Sequence, residues 1–199
     1  YELCAYANRG CPRPDGVSAH AAGSAGPSAT PRSAIPILDP TPGAKFEKVV
    51  EAALFLKVAL DALKIPSLVK TTGSKGIHIY VPIKRGPTQK QVWKFAKEFA
   101  WAVASQAPKL LTAIYQVSKR PRNRVLVDYN QNAWGRTLAG VYSVRPKPQA
   151  PVSMPVTWKE IEKGVTIEQF TLANARQRIA KVGDLWKPLL HSEKPRVDL

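Results

Sequence analysis

The sequence is short of acidic residues, of sulfur and of long apolar runs, and each shortage closes a set of options. Fourteen Asp plus Glu face 30 Lys plus Arg, which leaves a formal charge of +16. An excess of that size calls for a polyanionic partner, with nucleic acid the first candidate. Only two cysteines, Cys4 and Cys11, occur in 199 residues. They have neither zinc-site spacing nor the density of a secreted disulfide scaffold, so free thiols in a reducing cytoplasm are expected. No apolar run approaches the roughly 20 residues of a spanning helix. The basic residues are dispersed through folded-looking segments, which weakens an anionic membrane as partner. No cleavable signal pattern is present, and the chain opens on Tyr1, as expected of a segment from inside a longer gene product.

What remains is ample for a core: 44% of the residues are hydrophobic, enough for one or two globular domains. Residues 1–36 read as a separate, poorly ordered segment. Glu2 to Asn8 has the pattern of a helical turn, but Pro12 to Pro36 is a run of Pro, Ala, Ser and Gly with only Val17 and Ile35 as large aliphatics, too little to bury. Asp15 and His20 lie in it, and a flexible segment holds neither as a ligand.

From Ile35 the pattern becomes regular. Ile35 to Leu38 predicts a strand ending at Asp39-Pro40, and Pro42-Gly43 a turn. Lys45 to Lys64 predicts an amphipathic helix with Phe46, Val49, Val50, Ala53, Leu56, Leu60 and Leu63 on one stripe, ended by Ile65-Pro66. Ser67–Thr71 and Ile77–Ile83 predict strands. Thr88 and Gln91 form a capping box for a second helix, with Val92, Phe95, Ala96, Phe99 and Val103 facing inward and Pro108 beyond its end. A shorter helix is expected over Lys109–Gln116, strands over Val125–Asp128 and Thr137–Val144, a short helix capped by Thr157 and Glu160, and a last helix from Leu172 to Val182 stopped by Gly183. Strands alternating with helices around one sheet give an α+β class.

The chemistry centres on Lys70-Thr-Thr-Gly-Ser-Lys-Gly-Ile-His-Ile-Tyr-Val-Pro-Ile83. Gly73 and Gly76 permit unusual backbone angles and close approach, and the loop amides with Ser74 and Lys75 can form an anion-binding concavity. It is not a Walker A motif, because Gly76 follows Lys75 and no helix pattern comes next. A plain turn before a buried strand accounts for the loop equally well. In the strand, Ile77, Ile79 and Val81 point to one face, His78 and Tyr80 to the other. Asp39 and Asp128 each close an apolar strand, where ligands collect in open sheets. Together they could hold a divalent cation, while turn initiation explains either as well. Lys119, Arg120, Arg122 and Arg124 suit a phosphate backbone or a solvated face. Trp134 suits base stacking or packing.

Four motifs in order, Leu-Asp-Pro (38–40), Lys-Thr-Thr-Gly-Ser-Lys-Gly-Ile-His-Ile-Tyr-Val-Pro (70–82), Val-Asp-Tyr-Asn-Gln-Asn (127–132) and Val-Tyr-Ser-Val-Arg-Pro-Lys-Pro-Gln-Ala-Pro-Val-Ser (141–153), resemble the polymerase domain of bacterial ATP-dependent DNA ligase D, in the archaeo-eukaryotic primase superfamily. The resemblance covers about residues 37–190. It implies a primase-type mixed or antiparallel sheet flanked by helices, with a tail over 191–199. The activity implied is that of a nucleotidyltransferase adding ribo- or deoxyribonucleotides to DNA primer ends in non-homologous end joining, with Mn2+ or Mg2+. The partners implied are primer/template DNA ends, nucleoside triphosphates, Ku and a ligase domain, in a bacterial cytoplasm and nucleoid.

By position, Asp39 and Asp128 match catalytic metal-binding aspartates. Thr72, Lys75 and His78 match the motif that holds the incoming triphosphate, and Gln131 and Arg145 match nucleotide-contacting positions. The chain departs from the pattern twice. The family's Asp-Leu-Asp-Pro has Ile37 in its first position here, and an aliphatic side chain cannot ligate a metal. Residues 12–36 lack the family's apolar, histidine-containing segment, although Tyr6-Ala-Asn-Arg-Gly-Cys11 still looks related; a reading-frame slip would produce that break. The family's far N-terminal portion has no counterpart. A non-catalytic nucleic-acid-binding remnant is therefore the alternative expectation.

Overall fold

The computed structural model describes residues 33–190 and 196–198. The expectations for Cys4, Cys11, Asp15, His20 and the 12–32 run lie outside the described residues. Seven strands among these residues form one sheet: β1 (Ser33–Ala34), β2 (Ile37–Pro40), β3 (Leu68–Thr71), β4 (Ile77–Pro82), β5 (Leu111–Thr112), β6 (Val125–Asp128) and β7 (Pro155–Val156). Their spatial order is β5-β6-β2-β4-β3-β7, with β1 alongside β4. Every pairing is antiparallel except β5 with β6. The mixed α+β architecture expected from the sequence is the one observed.

One face of this sheet carries the core. Leu38, Val69, Ile77, Ile79, Val81, Val125 and Val127 pack in a single cluster with Val49, Ala52, Ala53, Leu56 and Leu60 of α1 (Phe46–Ala62) and Val92, Ala96, Phe99, Ala100 and Val103 of α2 (Gln89–Gln106). The 3.6-residue stripes of both helices thus lie where the periodicity put them, apart from Leu63, which is exposed. Thr88 and Gln91 close a reciprocal capping box at the start of α2, as Thr157 and Glu160 do for α3 (Trp158–Glu162). Ile37 and Leu126 are buried yet belong to no part of that cluster, because they face the other side of the sheet.

Three elements differ from expectation. Residues 109–116 form no helix: Leu111–Thr112 run parallel to β6, and the Thr112 hydroxyl accepts the amide of Ile114 at 3.2 Å, which turns the chain outward. The four consecutive residues Leu110, Leu111, Thr112 and Ala113 are all buried, and so short a buried run carries no helical period to separate it from a strand. Residues 137–144 form no strand either, only the isolated bridge Val144–Val152. Tyr142 at φ 61° breaks the extension. After α4 (Leu172–Val182), a further short helix, α5 (Lys187–Leu190), follows Gly183. The sheet also begins before Ile37, at Ser33. In the tail, Val197 bridges back to Ile83.

The far edge of the sheet is clamped by Arg178 of α4. Its guanidinium donates to both Glu160 oxygens at 2.6 and 2.9 Å and to the Pro155 carbonyl at 3.2 Å, over the Phe170 ring. Burial alone would raise the Glu160 carboxyl, but bonds from Arg178 and Thr157 hold it below its ordinary value. Truncating Arg178→Ala is expected to lower unfolding stability by about 2 kcal/mol, the range of a charged hydrogen bond, read by denaturant titration. An unchanged midpoint would leave the clamp without effect.

Candidate functional site

The face opposite the core carries a row of side chains set by strand register. In antiparallel pairs, directly opposed residues share a face. Lys70 of β3 opposes His78 of β4, His78 opposes Ile37 of β2, and Ile37 opposes Asp128 of β6. The row therefore reads Lys70, His78, Ile37, Asp128 across four strands. Asp39, two residues beyond Ile37 on the same strand, is displaced by one step along it, diagonal to Asp128.

At the acidic end, Asp128 is almost fully buried. Its oxygens accept the Asn130 amide at 2.8 Å and the Gln131 side-chain amide at 3.4 Å, so Gln131 lies against the carboxylate. The half-buried Asp39 has its carboxyl raised above the ordinary value, by burial first and by the charge of Asp128 second, with Arg120 and Lys75 opposing. A cation beside Asp39 would offset the repulsion from the Asp128 charge. The sign follows from linkage. With its folded value raised, Asp39 binds more protons folded than unfolded, so its ionisation costs stability as pH rises through that window.

Asn132, which the sequence analysis did not single out, fixes this end. Its side chain accepts the Ile35 amide at 2.8 Å and donates to the carbonyls of Ile35 and Tyr129 at 2.9 and 3.0 Å, tying the entry of β2 to the exit of β6. Its place at the end of the 127–132 motif was the available signal.

The glycine loop sits over Asp39. The Thr72 hydroxyl accepts three amides, those of Ser74, Lys75 and Gly76, at 3.1, 3.2 and 3.1 Å. Those amides converge on Thr72 itself, so the donors left facing outward are the exposed Lys75 and the Ser74 hydroxyl, which Lys147 engages at 2.7 Å. Of the two loop glycines, Gly73 takes a positive φ, +64°, and Gly76 does not. Gly76 is needed for proximity: a Cβ there would stand 2.3 Å from the Leu38 carbonyl oxygen and 2.7 Å from Asp39 Oδ1.

The basic end holds a motif residue to which sequence reasoning attached no role. Lys70 is 0% exposed, and its Nζ donates to Ser153 Oγ, which in turn donates to the Thr71 carbonyl at 3.1 Å. His78 is buried with Nδ1 unpartnered, and Arg145 Nε is likewise buried and unpartnered. Arg145 lies against Gly73, where a Cβ would meet its Cγ at 2.8 Å. Burial, then the charges of Lys70 and Arg145, hold His78 well below its ordinary value.

The basic run divides. Arg120 is anchored to the carbonyls of Ile114 and Tyr115 and covers the Tyr115 ring, with its charge felt at Asp39. Lys119 and Arg122 are exposed, and Arg124 is half-buried beside Thr41, which holds its backbone. Trp134 is 73% exposed, which leaves most of its ring open for stacking.

Residues 3–186 match the LigD primase-polymerase domain. The chain belongs to this family. It is 32% identical over 154 residues to the multifunctional non-homologous end joining protein LigD of Pseudomonas aeruginosa, covering 75% of this chain and 18% of that protein. It is also 32% identical over 147 residues to the bifunctional LigD of Bacillus subtilis, covering 73% of this chain and 24% of that protein. The chain thus spans about a quarter or less of the curated LigD proteins it matches. The polymerase domain of Mycobacterium tuberculosis ligase D, solved in complex with DNA, superposes with a TM-score of 0.76 at 27% identity, over 90% of this chain and 61% of that one.

LigD polymerase domains use divalent metals, and the acidic end must be measured against that need. Asp39 and Asp128 fit one cation, each raising the demand for it. The position directly opposite Asp128 is Ile37, 3% exposed, with no oxygen to offer. Among the described residues no three His, Cys, Asp or Glu side chains group as a metal site. The carboxylate set of this LigD domain does not fit a two-metal centre.

Proposed function

We propose that this LigD primase-polymerase domain binds a nucleoside triphosphate and a primer/template DNA end for non-homologous end joining, with nucleotide addition to the primer impaired by Ile37. The observation that carries this is the single sheet face on which a basic end (Lys70, His78, Arg145, with Lys75 above) adjoins an acidic end (Asp39, Asp128). The basic end suits the triphosphate: the charges of Arg145 and Lys75, with buried donors beside them, would stabilise phosphate charge strongly. Thr72 supports the loop that presents Lys75, and Gln131 lies where the nucleotide would approach Asp128. Mn2+ or Mg2+, held by Asp39 and Asp128, would supply charge neutralisation at the reacting phosphate.

The relatives are longer end-joining proteins, as their names state. A ligase domain and Ku are accordingly proposed as partners, and the bacterial cytoplasm and nucleoid as the setting. Among the described residues no helix is long and apolar enough to cross a membrane. Residues 1–36 are proposed as the divergent N-terminal segment, 37–190 as the primase-polymerase unit and 191–199 as a tail.

Lys75→Ala is expected to weaken nucleoside triphosphate binding by roughly 1.5–3 kcal/mol, the range for a charged hydrogen bond, in a calorimetric titration. Unchanged affinity would return the loop to a plain turn before a strand. DNA binding should weaken steeply with salt, and each phosphate that is no longer neutralised should reduce the log-log slope by about 0.9. Arg122→Ala and Arg124→Ala together are expected to flatten that slope, measured by fluorescence anisotropy on duplex DNA. Binding indifferent to salt in the parent would remove nucleic acid as partner.

The alternative is a nucleic-acid-binding remnant with no polymerase activity, and one observation favours it: Ile37 stands directly opposite Asp128. Manganese-dependent primer extension separates the two.

A further inference from the structure

Among the described residues Lys70 is the one fully buried lysine. Its side-chain nitrogen donates to a serine hydroxyl, and the groups that face it are basic. His78 opposes it from β4, and Arg145 reaches it from the segment ahead of β7. The elements on its other side offer only neutral neighbours, Ser153 and, in register on β7, Pro155. Among the described residues no carboxylate pairs with Lys70, His78 or Arg145; the nearest acid along the row, Asp128, lies beyond Ile37. An isolated ammonium in such a place is costly, and the ordinary response is loss of its proton. An anion entering beside the unpartnered His78 Nδ1 and Arg145 Nε would reverse the balance.

We propose that Lys70 is a positioning residue that couples entry of a phosphate-bearing anion into this pocket to uptake of one proton from solvent, an inference that rests on the nucleotide-binding function above and extends it. Without the anion, at pH above about 7, Lys70 is a neutral amine hydrogen-bonded to Ser153. As the anion enters, the amine takes up a proton and becomes an ammonium beside it, so the pocket's cationic charge is completed only when it is matched. Burial first, and Arg145 second, lower the Lys70 amine to about 7. Anion binding raises it again, so affinity falls as pH climbs from the empty-pocket value toward the bound one, by up to about tenfold per pH unit for one coupled proton.

Calorimetric titration of inorganic tripolyphosphate, with chelator present and in two buffers of different ionisation enthalpy, measures the protons directly. At about pH 8.5, where exposed lysines are already charged and the protons lost by the ligand itself are subtracted using its own titration curve, the parent is expected to take up close to one proton. At about pH 6 the uptake should shrink toward zero. Lys70→Met, similar in length but unable to titrate, should abolish the uptake and flatten the pH dependence of affinity. Ser153→Ala keeps the lysine and removes its acceptor, so uptake should persist with its onset moved to another pH. If Lys70→Met does not fold, the parent and Ser153→Ala still decide. Parent binding at about pH 8.5 without proton uptake, or Lys70→Met with unchanged uptake, overturns the inference and leaves the nucleotide-binding function standing. Absence of tripolyphosphate binding at any pH overturns both.

Discussion

Ile37→Asp is expected to turn a weak manganese binder into a strong one and to raise primer extension with it. Register fixes the geometry: residue 37 faces Asp128 directly, a relation that puts Cβ atoms roughly 4.5–5.5 Å apart in antiparallel sheets. It also shares a strand face with Asp39. A carboxylate there would complete a three-oxygen cluster on one face, where the parent has two. Without metal the variant should be less stable than the parent, because three mutually repelling carboxylates would be partly buried together. With manganese at about 100 times the dissociation constant it should regain about 2.7 kcal/mol by mass action. A manganese-dependent rise in melting temperature in the variant, and little in the parent, is the signature. No shift in either would mean that more than one ligand is missing.

Gly76→Ala is expected to damage the fold and the acidic end together. The added methyl would overlap the Leu38 carbonyl, and Asp39 Oδ1 lies almost as close. Backbone on that side belongs to β2, which is held between β4 and β6 and cannot step aside. Overpacking of this kind costs about 1–3 kcal/mol, or several degrees in melting temperature for a chain of this size. Displacement of Asp39 should also lower manganese affinity. Lys75→Ala, one residue away and exposed, should leave the melting temperature unchanged. Equal melting temperatures for Gly76→Ala and the parent would show that the loop does not ride on Asp39.

Much of the sheet could be read from the chain because α1 and α2 carry long, regular apolar stripes and because Thr88 and Thr157 announce helix starts. The segments that misled were short or locally determined. Leu111–Thr112 gains its strand state from pairing with β6, a partner many residues away that no local pattern reveals. The 137–144 stretch alternates well enough to suggest a strand, but Tyr142 takes a positive φ, with its amide bonded to the Ser153 carbonyl far along the chain. β7 begins with a proline, which suits an edge strand and hides it.

In the site, residue types and order brought out Asp39, Asp128, Lys75, His78 and Arg145, and register supplied what spacing could not: that His78, Ile37 and Asp128 form one row. Lys70 passed unnoticed because a lysine in a basic chain ordinarily lies in solvent, and only the fold shows this one buried. Thr72 is legible as a motif residue, but its three accepted amides are visible only in three dimensions.

The central claim is that the unmodified chain keeps the nucleotide pocket and lacks a complete metal site. It is tested most directly by one manganese-dependent primer-extension assay on the unmodified chain, run under conditions where calorimetry shows the triphosphate bound. The predicted result is bound nucleotide with little or no elongation of the primer. Robust elongation would contradict it, and would mean that Asp39 and Asp128 alone suffice with Ile37 between them.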